Sequence, residues 1–373
     1  MQKINQTKIE TDRIYCGDCL KIIRKFPDKI IDCIVTSPPY WALRDYGKDA
    51  ESIFDSKENC NHVFKVGVRK DPMDRGGYGD HDEKGISSSW KKRTNIKSGF
   101  CIKCGAWKGQ LGLEPIFELY IKHLCDIFDE IKRTLKDEGT CWVNIGDTYY
   151  TKSGGSFLND KLNSNKRVEK IGINRANAVR GKGLLEDKNL TLTPFRFAIE
   201  MQKRGWIVRN VIIWHKPNCM PTSVKDRFTV DFEYLFFFAK SKKYYFEQQR
   251  EPHKLSSIER TRYNWNGHRE PGSSYAGMNI KKMCHPDGRN KRCVWSILTR
   301  SFGVGHFAVY PPELIEIPIK AGCPEKGIVL DPFIGSGTTG LVAKKLGRKF
   351  LGIDINPNYC KIAIKRIRGG KNG

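Results

Sequence analysis

Four consecutive residues, Ser37-Pro38-Pro39-Tyr40, carry groups suited to holding a planar amino group. The two prolines fix the backbone and donate no hydrogen bonds, so nearby carbonyl oxygens can point outward as acceptors. Ser37 adds a side-chain acceptor, and Tyr40 offers a flat face on which a base can stack. Acceptors around an exocyclic NH₂ group can orient its lone pair toward an electrophilic methyl group. An ordinary Pro-Pro turn after a strand is the alternative interpretation of this segment taken alone.

A glycine-rich loop from Asp331 to Gly340 is the second segment with candidate binding chemistry. A strand that ends in Asp and turns through glycines into a helix presents backbone amides to a ligand at the carboxyl end of a sheet. Gly335 and Gly337 remove side chains where that ligand must approach. Asp354 ends the next strand about 20 residues later, where dinucleotide-binding folds hold a ribose diol with an acidic residue. A tight strand-to-helix turn explains the glycines equally well. The Gly-Lys-Ser/Thr sequence of a phosphate-binding P-loop is absent, so a P-loop is not indicated.

Hydrophobic patterns place both loops directly after predicted strands. The run from Ile30 to Val35 precedes the first loop, and Gly327 to Leu330 precedes the second. Helical spacing of apolar residues predicts further helices between strands. Other predicted strands are Thr140–Ile145, Ile207–Trp214, Phe232–Phe238 and Lys349–Asp354. Of these, Ile207–Trp214 and Phe232–Phe238 are expected to be antiparallel neighbours. Predicted helices follow Pro115, Thr193 and Thr338. This alternation predicts an α/β fold with a mostly parallel, twisted sheet and helices on both faces.

The chain of 373 residues is strongly basic, with 66 Lys and Arg residues against 41 Asp and Glu residues and a net charge of +25. Such an excess indicates a polyanionic partner, and nucleic acid is the first candidate; a solvated, lysine-rich surface is the alternative. No stretch approaches the roughly 18 apolar residues that span a bilayer, and the N-terminus lacks the apolar core of a signal peptide. We therefore expect a cytoplasmic protein without membrane contact, whose 13 cysteines are reduced thiols.

Two short pairs of metal-ligand residues flank a polar stretch. Cys60-x-His62 and Cys101-x-x-Cys104 together supply four soft or borderline ligands, which suit a tetrahedral structural zinc. A segment with few apolar residues needs such a staple to fold. A redox-active Cys-x-x-Cys and four ordinary polar residues are the alternatives.

The two loops, in this order along the chain, resemble those of the amino-group DNA methyltransferases, specifically the permuted class often called beta. In that class the catalytic motif precedes the target-recognition region, and the S-adenosylmethionine motif follows it. The resemblance covers most of the chain and implies a Rossmann-like methyltransferase fold with a circularly permuted motif order. Besides the two loops, it rests on Gly17-Asp18, Gly105-Ala106-Trp107 to Pro115, Asn144-Ile145-Gly146-Asp147, Trp214-His215-Lys216-Pro217-Asn218, and His306-Phe307-Ala308 with Pro311.

The resemblance implies a role for each matching residue. Ser37, Pro38, Pro39 and Tyr40 would bind the target amino group and stack the base. The residues that would bind or enclose S-adenosylmethionine are Asp331, Pro332, Phe333, Gly335, Ser336, Gly337 and Thr338, with Asp354 on the ribose, Asp18 near the adenine, and His306, Phe307 and Ala308 as a wall. The cysteine route to 5-methylcytosine is disfavoured, because no Pro-Cys dipeptide occurs.

The implied reaction is methyl transfer to the exocyclic N4 of cytosine at a specific site in double-stranded DNA, after base flipping. A leading Ser in the catalytic motif favours cytosine N4, whereas a leading Asp favours adenine N6, so N6-adenine methylation remains the alternative. The role would be restriction-modification or epigenetic, with a cognate restriction endonuclease and a homodimer as further expectations. The intact motifs disfavour a non-catalytic DNA-binding protein, and Pro332-Phe333 and the positive charge disfavour a nicotinamide-dependent oxidoreductase.

Composition and motif order together predict two halves of one methyltransferase domain and three segments outside its sheet. The predicted boundaries are 1–40 and 115–247 for the catalytic half, 304–373 for the cofactor-binding half, 41–114 for an inserted zinc-binding segment, 151–190 for a mobile loop, and 248–303 for the target-recognition region.

Three polar residues near the ends of two predicted strands have no assigned role in this scheme. His215 and Lys216 are candidates for contact with DNA or for a structural turn. Glu233 lies within an apolar strand, so we expect it to be paired or to lie at an exposed edge rather than to act in catalysis.

Overall fold

The structure of the protein is a computed structural model, which describes residues 9–67, 96–150, 185–262, 285–300 and 309–369. The chain forms two compact units. Met1–Tyr40, Cys125–Thr148 and Leu190–Gly373 make up the larger one, and Trp41–Leu124 with Tyr149–Asn189 make up the smaller one. Three sets of predicted features lie outside the described residues: His306, Phe307 and Ala308, most of the predicted loop (151–184), and residues 263–284 and 301–303 of the predicted recognition region.

The described part of the chain contains short and long elements in alternation. The strands are β1 (Arg13–Cys16), β2 (Ile31–Thr36), β3 (Ser52–Phe54), β4 (Phe64–Gly67), β5 (Ile96–Cys101), β6 (Trp107–Gly109), β7 (Leu135–Ile145), β8 (Ile207–His215), β9 (Phe232–Ala239), β10 (Arg250–Glu251), β11 (Arg289–Asn290), β12 (Val294–Ser296), β13 (Ile328–Asp331) and β14 (Lys349–Asp354). The helices are α1 (Cys19–Ile23), α2 (Phe117–Thr134), α3 (Thr193–Lys203), α4 (Leu255–Arg262), α5 (Pro312–Gly322), α6 (Thr338–Lys345) and α7 (Pro357–Gly369).

An eight-stranded mixed sheet forms the centre of the larger unit, in the order β1-β14-β13-β2-β7-β9-β8-β12. Adjacent strands are parallel except for the two pairs that include β9. This arrangement confirms the predicted α/β fold with a mostly parallel sheet. It also confirms that β8 and β9 are antiparallel neighbours.

Buried apolar side chains explain why the central strands form. All six residues of β2 are buried, as expected for a strand that is covered on both faces within a parallel sheet. The last five residues of β9, Leu235–Ala239, are buried as well. Trp142 of β7 stacks on Phe237 of β9 with ring centroids 4.0 Å apart, which joins the parallel part of the sheet to its antiparallel strand.

The strand order brings the two predicted loops side by side. β2 and β13 are adjacent and parallel, with Leu330 opposite Ile34. The carboxyl ends of parallel strands lie at the same edge of a sheet, which is where α/β proteins bind their ligands. The residues after Thr36 and the residues after Asp331 therefore leave the sheet next to each other.

The antiparallel strand β9 delivers its first residues to this same edge. Tyr234 lies opposite Ile145, the last residue of β7, and Phe232 lies opposite His215, the last residue of β8. Glu233 is therefore placed at the edge where β2, β7 and β8 end.

Four short antiparallel strands form a separate sheet in the smaller unit, in the order β3-β6-β5-β4. Buried His123 stacks on Phe54 and Trp107, with ring centroids 4.4 and 5.6 Å away. Its ring nitrogens lie 3.1 Å from Glu114 Oε1 and 3.3 Å from Asp55 Oδ2. Burial raises the pKa of the Glu114 carboxyl, and the contact with His123 opposes that rise. These contacts hold β3 and β6 together, and β6 pairs with β5, which ends at the predicted metal ligand Cys101.

Within the described residues, no helix combines the length and the apolar character needed to cross a lipid bilayer.

Candidate functional site

The carboxylate of Asp331 joins the two loops at the edge of the large sheet. Its Oδ1 accepts hydrogen bonds from Thr36 Oγ1 (2.6 Å) and from the backbone N–H of Phe333 (3.0 Å). Its Oδ2 accepts from Tyr310 OH (3.0 Å) and Thr339 Oγ1 (2.5 Å). Asp331 is 1% exposed, and burial raises the pKa of its carboxyl while the hydrogen bonds from Thr339 and Thr36 oppose that rise. Four protein donors therefore satisfy a buried anion that would otherwise be strongly unfavourable.

Asp331 is one of the residues predicted to bind the cofactor. In the structure both of its oxygens are engaged by protein donors. The carboxylate thus fixes the start of the glycine loop relative to Thr36, the residue before the Ser-Pro-Pro-Tyr segment. Tyr310 and Thr339 were not predicted to take part, because nothing in a single sequence pairs them with Asp331.

A second carboxylate, that of Asp354 at the end of β14, organises the turn of the glycine loop. Its Oδ2 accepts from the backbone N–H of Gly335 (3.0 Å), and its Oδ1 accepts from the backbone N–H of Asn356 (2.8 Å). Burial raises the pKa of Asp354 to about 6, and these two N–H groups oppose the rise. The predicted ribose ligand is therefore already in contact with the loop that precedes α6.

Gly337 satisfies a packing requirement as well as a conformational one. It is the N-cap residue just before α6, with φ = +86°, and a Cβ atom built on it would lie 2.9 Å from the Cβ of Ala363 in α7. Contacts under 3.0 Å are essentially never seen for real Cβ atoms, so only glycine lets the loop lie against α7.

The hydroxyl groups of the same loop also face α7. Arg366 Nη1 donates to Ser336 Oγ (3.0 Å) and Thr338 Oγ1 (2.8 Å), and both acceptor residues are buried. Pro332 is buried and Phe333 is partly buried. The side chains of Ser336 and Thr338, both predicted cofactor residues, therefore anchor the loop to α7. Arg366 was not predicted.

Asp18 lies at the end of β1, beside the end of β14. Its Oδ1 accepts from the backbone N–H of Lys21 (2.9 Å), which caps the N-terminus of α1. The backbone N–H of Gly17 donates to the carbonyl oxygen of Asp354 (2.9 Å). The structure thus brings Asp18 to the part of the sheet edge that carries Asp354.

The hydroxyl of Tyr40 belongs to a polar network that the sequence motifs do not reveal. It donates to Glu233 Oε2 (2.7 Å) and lies 3.1 Å from Asn144 Oδ1. Ser37 Oγ donates to the Tyr40 oxygen over 3.3 Å. Lys216 Nζ donates to Glu233 Oε1 over 2.5 Å. Glu233 is therefore paired, which was one of the two outcomes expected of it, and its partners belong to the predicted catalytic loop and the segment after β8.

Gly146 gives the ring of Tyr40 room to lie against the end of β7. A Cβ atom at Gly146 would come within 2.8 Å of Tyr40 Cε2. A hydroxyl held by Glu233 and an edge held against Gly146 leave the ring with a defined orientation, as a stacking platform requires.

The predicted metal ligands come together in the smaller unit. One ligand atom from each of Cys60, His62, Cys101 and Cys104 lies within 4.8 Å of all the others. The sulfur atoms of Cys60 and Cys101 are 4.0 Å apart, and Cys104 Sγ lies 3.3 Å from His62 Nδ1. Tetrahedral zinc with Zn–S bonds of about 2.3 Å requires sulfur atoms about 3.8 Å apart, so the geometry fits this metal.

Local backbone structure explains how the Cys-x-x-Cys pair is presented. The N–H of Gly105 donates to the carbonyl of Cys101 (2.9 Å), and the N–H of Cys101 donates to the carbonyl of Ala106 (2.7 Å). Gly105 adopts φ = +79°, which closes this turn. His62 Nε2 lies 2.9 Å from Ser56 Oγ, so its Nδ1 is the nitrogen that faces the cysteines. Such a contact on the far nitrogen is how metal-binding histidines are usually oriented.

A family model described as DNA methylase, of the N6/N4 type, matches residues 31–365 of the chain. The chain belongs to this family. The methylase is 34% identical over 365 residues to the type II methyltransferase M.SmaI of Serratia marcescens, covering 97% of this chain and 92% of the relative. It is 35% identical over 359 residues to the type II methyltransferase M.Cfr9I of Citrobacter freundii, covering 95% and 87%.

The fold of the methylase is similar to that of a solved structure, the PvuII DNA methyltransferase (cytosine-N4-specific). The TM-score is 0.51 at 16% identity, covering 96% of this chain and 86% of that one. Family membership confirms the resemblance that the two loops indicated, and the likeness to the solved structure confirms the fold. The methylase is a type II DNA amino-methyltransferase of the N4/N6 family.

The link between Thr36 and Asp331 predicts a stability effect. Thr36→Val removes one donor from a buried carboxylate, so we expect the free energy of unfolding to fall by about 1–3 kcal/mol. Thr36→Ser keeps the hydroxyl and should retain most of the stability. Urea denaturation followed by tryptophan fluorescence measures both. Equal midpoints for the Val variant and the unchanged protein would show that this hydrogen bond does not hold the two loops.

Proposed function

We propose that this methylase transfers a methyl group from S-adenosylmethionine to the exocyclic N4 of cytosine at a specific site in duplex DNA. The observation that carries this choice of base is Ser37 at the head of the catalytic motif, with its hydroxyl donating to Tyr40. An Asp at this position would stabilise positive charge that develops on the attacked nitrogen; Ser does so less strongly, which favours the cytosine amino group over that of adenine. N6-adenine methylation by the same site is the alternative.

The catalytic loop would act by geometry rather than by a covalent intermediate. The target base must leave the duplex, because its amino group is not accessible in the stack. Tyr40 stacks on the extruded base, while Ser37 Oγ and backbone carbonyls at Pro38 and Pro39 accept hydrogen bonds from the amino group. This orients the nitrogen lone pair toward the methyl carbon. The new N–C bond would form as the S–C bond breaks with its electron pair going to sulfur, and the nitrogen would then release one proton to solvent water.

The cofactor would lie over the glycine loop at the same sheet edge. Asp354 is placed to accept hydrogen bonds from a ribose diol, Asp18 lies beside it, and the backbone of Asp331–Gly337 provides the surface for the methionine portion. Polar groups at the ends of adjacent parallel strands support this assignment. His306, Phe307 and Ala308 complete the proposed site on the basis of the family resemblance.

The partners follow from charge and family. A net charge of +25 supports a DNA substrate, since lysine and arginine side chains neutralise phosphates. A cognate restriction endonuclease and a homodimer are further parts of the proposal, drawn from the resemblance to type II modification enzymes.

We also propose that Cys60, His62, Cys101 and Cys104 bind one structural zinc. The ligand distances, the orientation of His62 by Ser56 and the turn at Gly105 support this assignment. Zinc would cross-link two segments of the smaller unit that lie far apart in sequence, and it would contribute stability rather than chemistry.

Product analysis tests the proposed reaction. DNA treated with the methylase and S-adenosylmethionine, then digested to nucleosides, should contain N4-methyldeoxycytidine by mass spectrometry against standards for both products. Tyr40→Ala should give much less product, because it removes the stacking face. N6-methyldeoxyadenosine as the product would overturn the choice of base. The absence of both would overturn the proposed activity.

Cofactor affinity should depend on the ionisation of Asp354. The raised pKa of about 6 leaves its carboxyl mostly protonated at pH 5, and a protonated carboxyl accepts fewer hydrogen bonds from ribose hydroxyls. The dissociation constant for S-adenosylmethionine should therefore be roughly tenfold higher at pH 5 than at pH 8, rising as the pH falls through the pKa. Isothermal titration calorimetry across this range measures it.

The matched control for this experiment is Asp354→Asn, which should bind more weakly at pH 8 and show no step near pH 6. A step that persists in the Asn variant would assign the titration to another group. An affinity that is unchanged in the Asn variant would count against the ribose assignment.

Metal analysis tests the zinc site. Purified protein should contain about one zinc per chain by inductively coupled plasma mass spectrometry. Cys104→Ser should lose most of the metal and melt at a lower temperature, because the site loses one of its ligands. Cys293→Ser changes an exposed cysteine outside the cluster and should keep both metal and stability. Equal zinc content in the two variants, or none in the unchanged protein, would contradict the assignment.

A further inference from the structure

A directed chain of hydrogen bonds runs from the catalytic serine to a partly buried ion pair. Ser37 Oγ donates to the Tyr40 oxygen (3.3 Å), and Tyr40 OH donates to Glu233 Oε2 (2.7 Å). Lys216 Nζ donates to Glu233 Oε1 (2.5 Å). Asn144 Nδ2 donates to Glu233 Oε2 (3.1 Å). Each of these three partners therefore presents a donor to the Glu233 carboxyl.

Glu233 decides which group donates and which accepts in each hydrogen bond of this series. An ammonium group has donors and no acceptor, so Lys216 requires an acceptor at Oε1. Asn144 presents its NH₂ group to Oε2 and turns its own oxygen toward Tyr40. The Glu233 carboxylate can then only accept, and the single proton of Tyr40 points to acceptors on Glu233 and Asn144. The Tyr40 oxygen must in turn accept from Ser37.

A serine that donates its one proton to Tyr40 can meet an amino group only as an acceptor. This is the polarity that methyl transfer needs, because the amino group of the base has two donors, and holding them frees the lone pair for attack. In the reverse polarity Tyr40 would donate to Ser37, and the Ser37 proton would face the substrate N–H groups. The bound amino group would then be turned, so that its lone pair no longer points at the methyl carbon.

We propose that Glu233, held by Lys216, sets the hydrogen-bond polarity of the catalytic loop so that Ser37 accepts from the target amino group. Glu233 acts through Tyr40 and Ser37 and is therefore a positioning residue. The inference rests on the proposed function, since it concerns the same amino-group transfer. It assigns a role to a residue that the sequence motifs left outside the catalytic scheme.

Glu233→Gln tests the proposal at nearly constant shape. The Gln amide can turn its NH₂ group toward Tyr40 and so permit the reversed chain. We expect kcat to fall roughly 10- to 100-fold, as for loss of a hydrogen bond to a charged group in the transition state. The KM values and the dissociation constant for S-adenosylmethionine should stay within about twofold, because substrate binding surfaces are unchanged. Glu316→Gln, which alters the Glu316–Lys320 pair of α5, is the matched control and should leave kcat unchanged.

A double-mutant cycle separates polarity from mere structural support. Tyr40→Phe keeps the ring and removes the hydroxyl that transmits the polarity. The kcat loss caused by Glu233→Gln should therefore disappear in the Tyr40→Phe background, a coupling that additive structural damage would not give. Lys216→Met, which releases the other oxygen of Glu233, is the second variant: it should lower kcat less, and again only when Tyr40 has its hydroxyl.

The outcomes distinguish this inference from the proposed function. The polarity role is wrong, and the activity stands, if the unchanged protein methylates DNA but Glu233→Gln has the same kcat. The same conclusion follows if Glu233→Gln lowers kcat by the same factor with and without the Tyr40 hydroxyl. If the unchanged protein forms no methylated base under any condition, the proposed function fails. Bound S-adenosylmethionine, measured by calorimetry, shows that each variant is folded.

Discussion

The buried carboxylate of Asp331 is the contact on which the arrangement of the site depends. It lies at the end of β13 and accepts from Thr36 at the end of β2, two residues that are 295 positions apart in the chain. Parallel pairing alone would bring these strand ends together, but it would not fix the positions of the loops that follow them. The four hydrogen bonds to Asp331 fix the two departing loops at a single point. In the proposed reaction, a base held by one loop would meet a methyl group held by the other at this point.

A second constraint comes from the one antiparallel strand of the large sheet as the structure describes it. Because β9 runs against its neighbours, its amino end lies at the edge where the parallel strands have their carboxyl ends. A parallel strand would have placed Glu233 at the opposite side of the sheet, far from Tyr40. The reversal of β9 thus adds a charged residue to an edge that otherwise receives the loops that follow strands. Lys216, directly after β8, completes the pair from the adjacent strand.

Local signals in the sequence were sufficient for six strands of the large sheet, the two loops and the fold class. Strands β1 and β12 of that sheet and the four short strands of the smaller unit were not predicted. The apolar runs before Ser37 and Asp331 are short and bounded, and the helix from Thr193 is where its Pro at the second position indicates. Helix α5 was not predicted, because Pro318 lies inside it and interrupts the pattern that normally identifies a helix. The four predicted metal ligands were identifiable because their spacing within each pair is short, and the structure brings all four together.

The contacts that complete the site were beyond such reasoning. Tyr310, Glu233 and Arg366 act through partners in other segments of the chain. Thr339 acts through Asp331, on the other side of the glycine turn, so no local pattern pairs any of them. Gly337 shows the same limit in another way. The sequence singles out this glycine as a point where a ligand approaches, whereas the structure shows the close approach of Ala363, which only the packing of α7 reveals.

The position of β13 has a consequence for how the chain is made. This strand fills the place between β14 and β2, and β1 pairs with β14, so the early strands of the sheet wait for partners from the end of the chain. During synthesis β1 precedes its partner β14, and β2 can pair with β7 but keeps its other edge open until β13 has been made. Contacts of such large sequence separation form slowly, and exposed strand edges attract other chains in the meantime. The strand order that unites the site therefore leaves β1 without its partner, and one edge of β2 open, until late in synthesis.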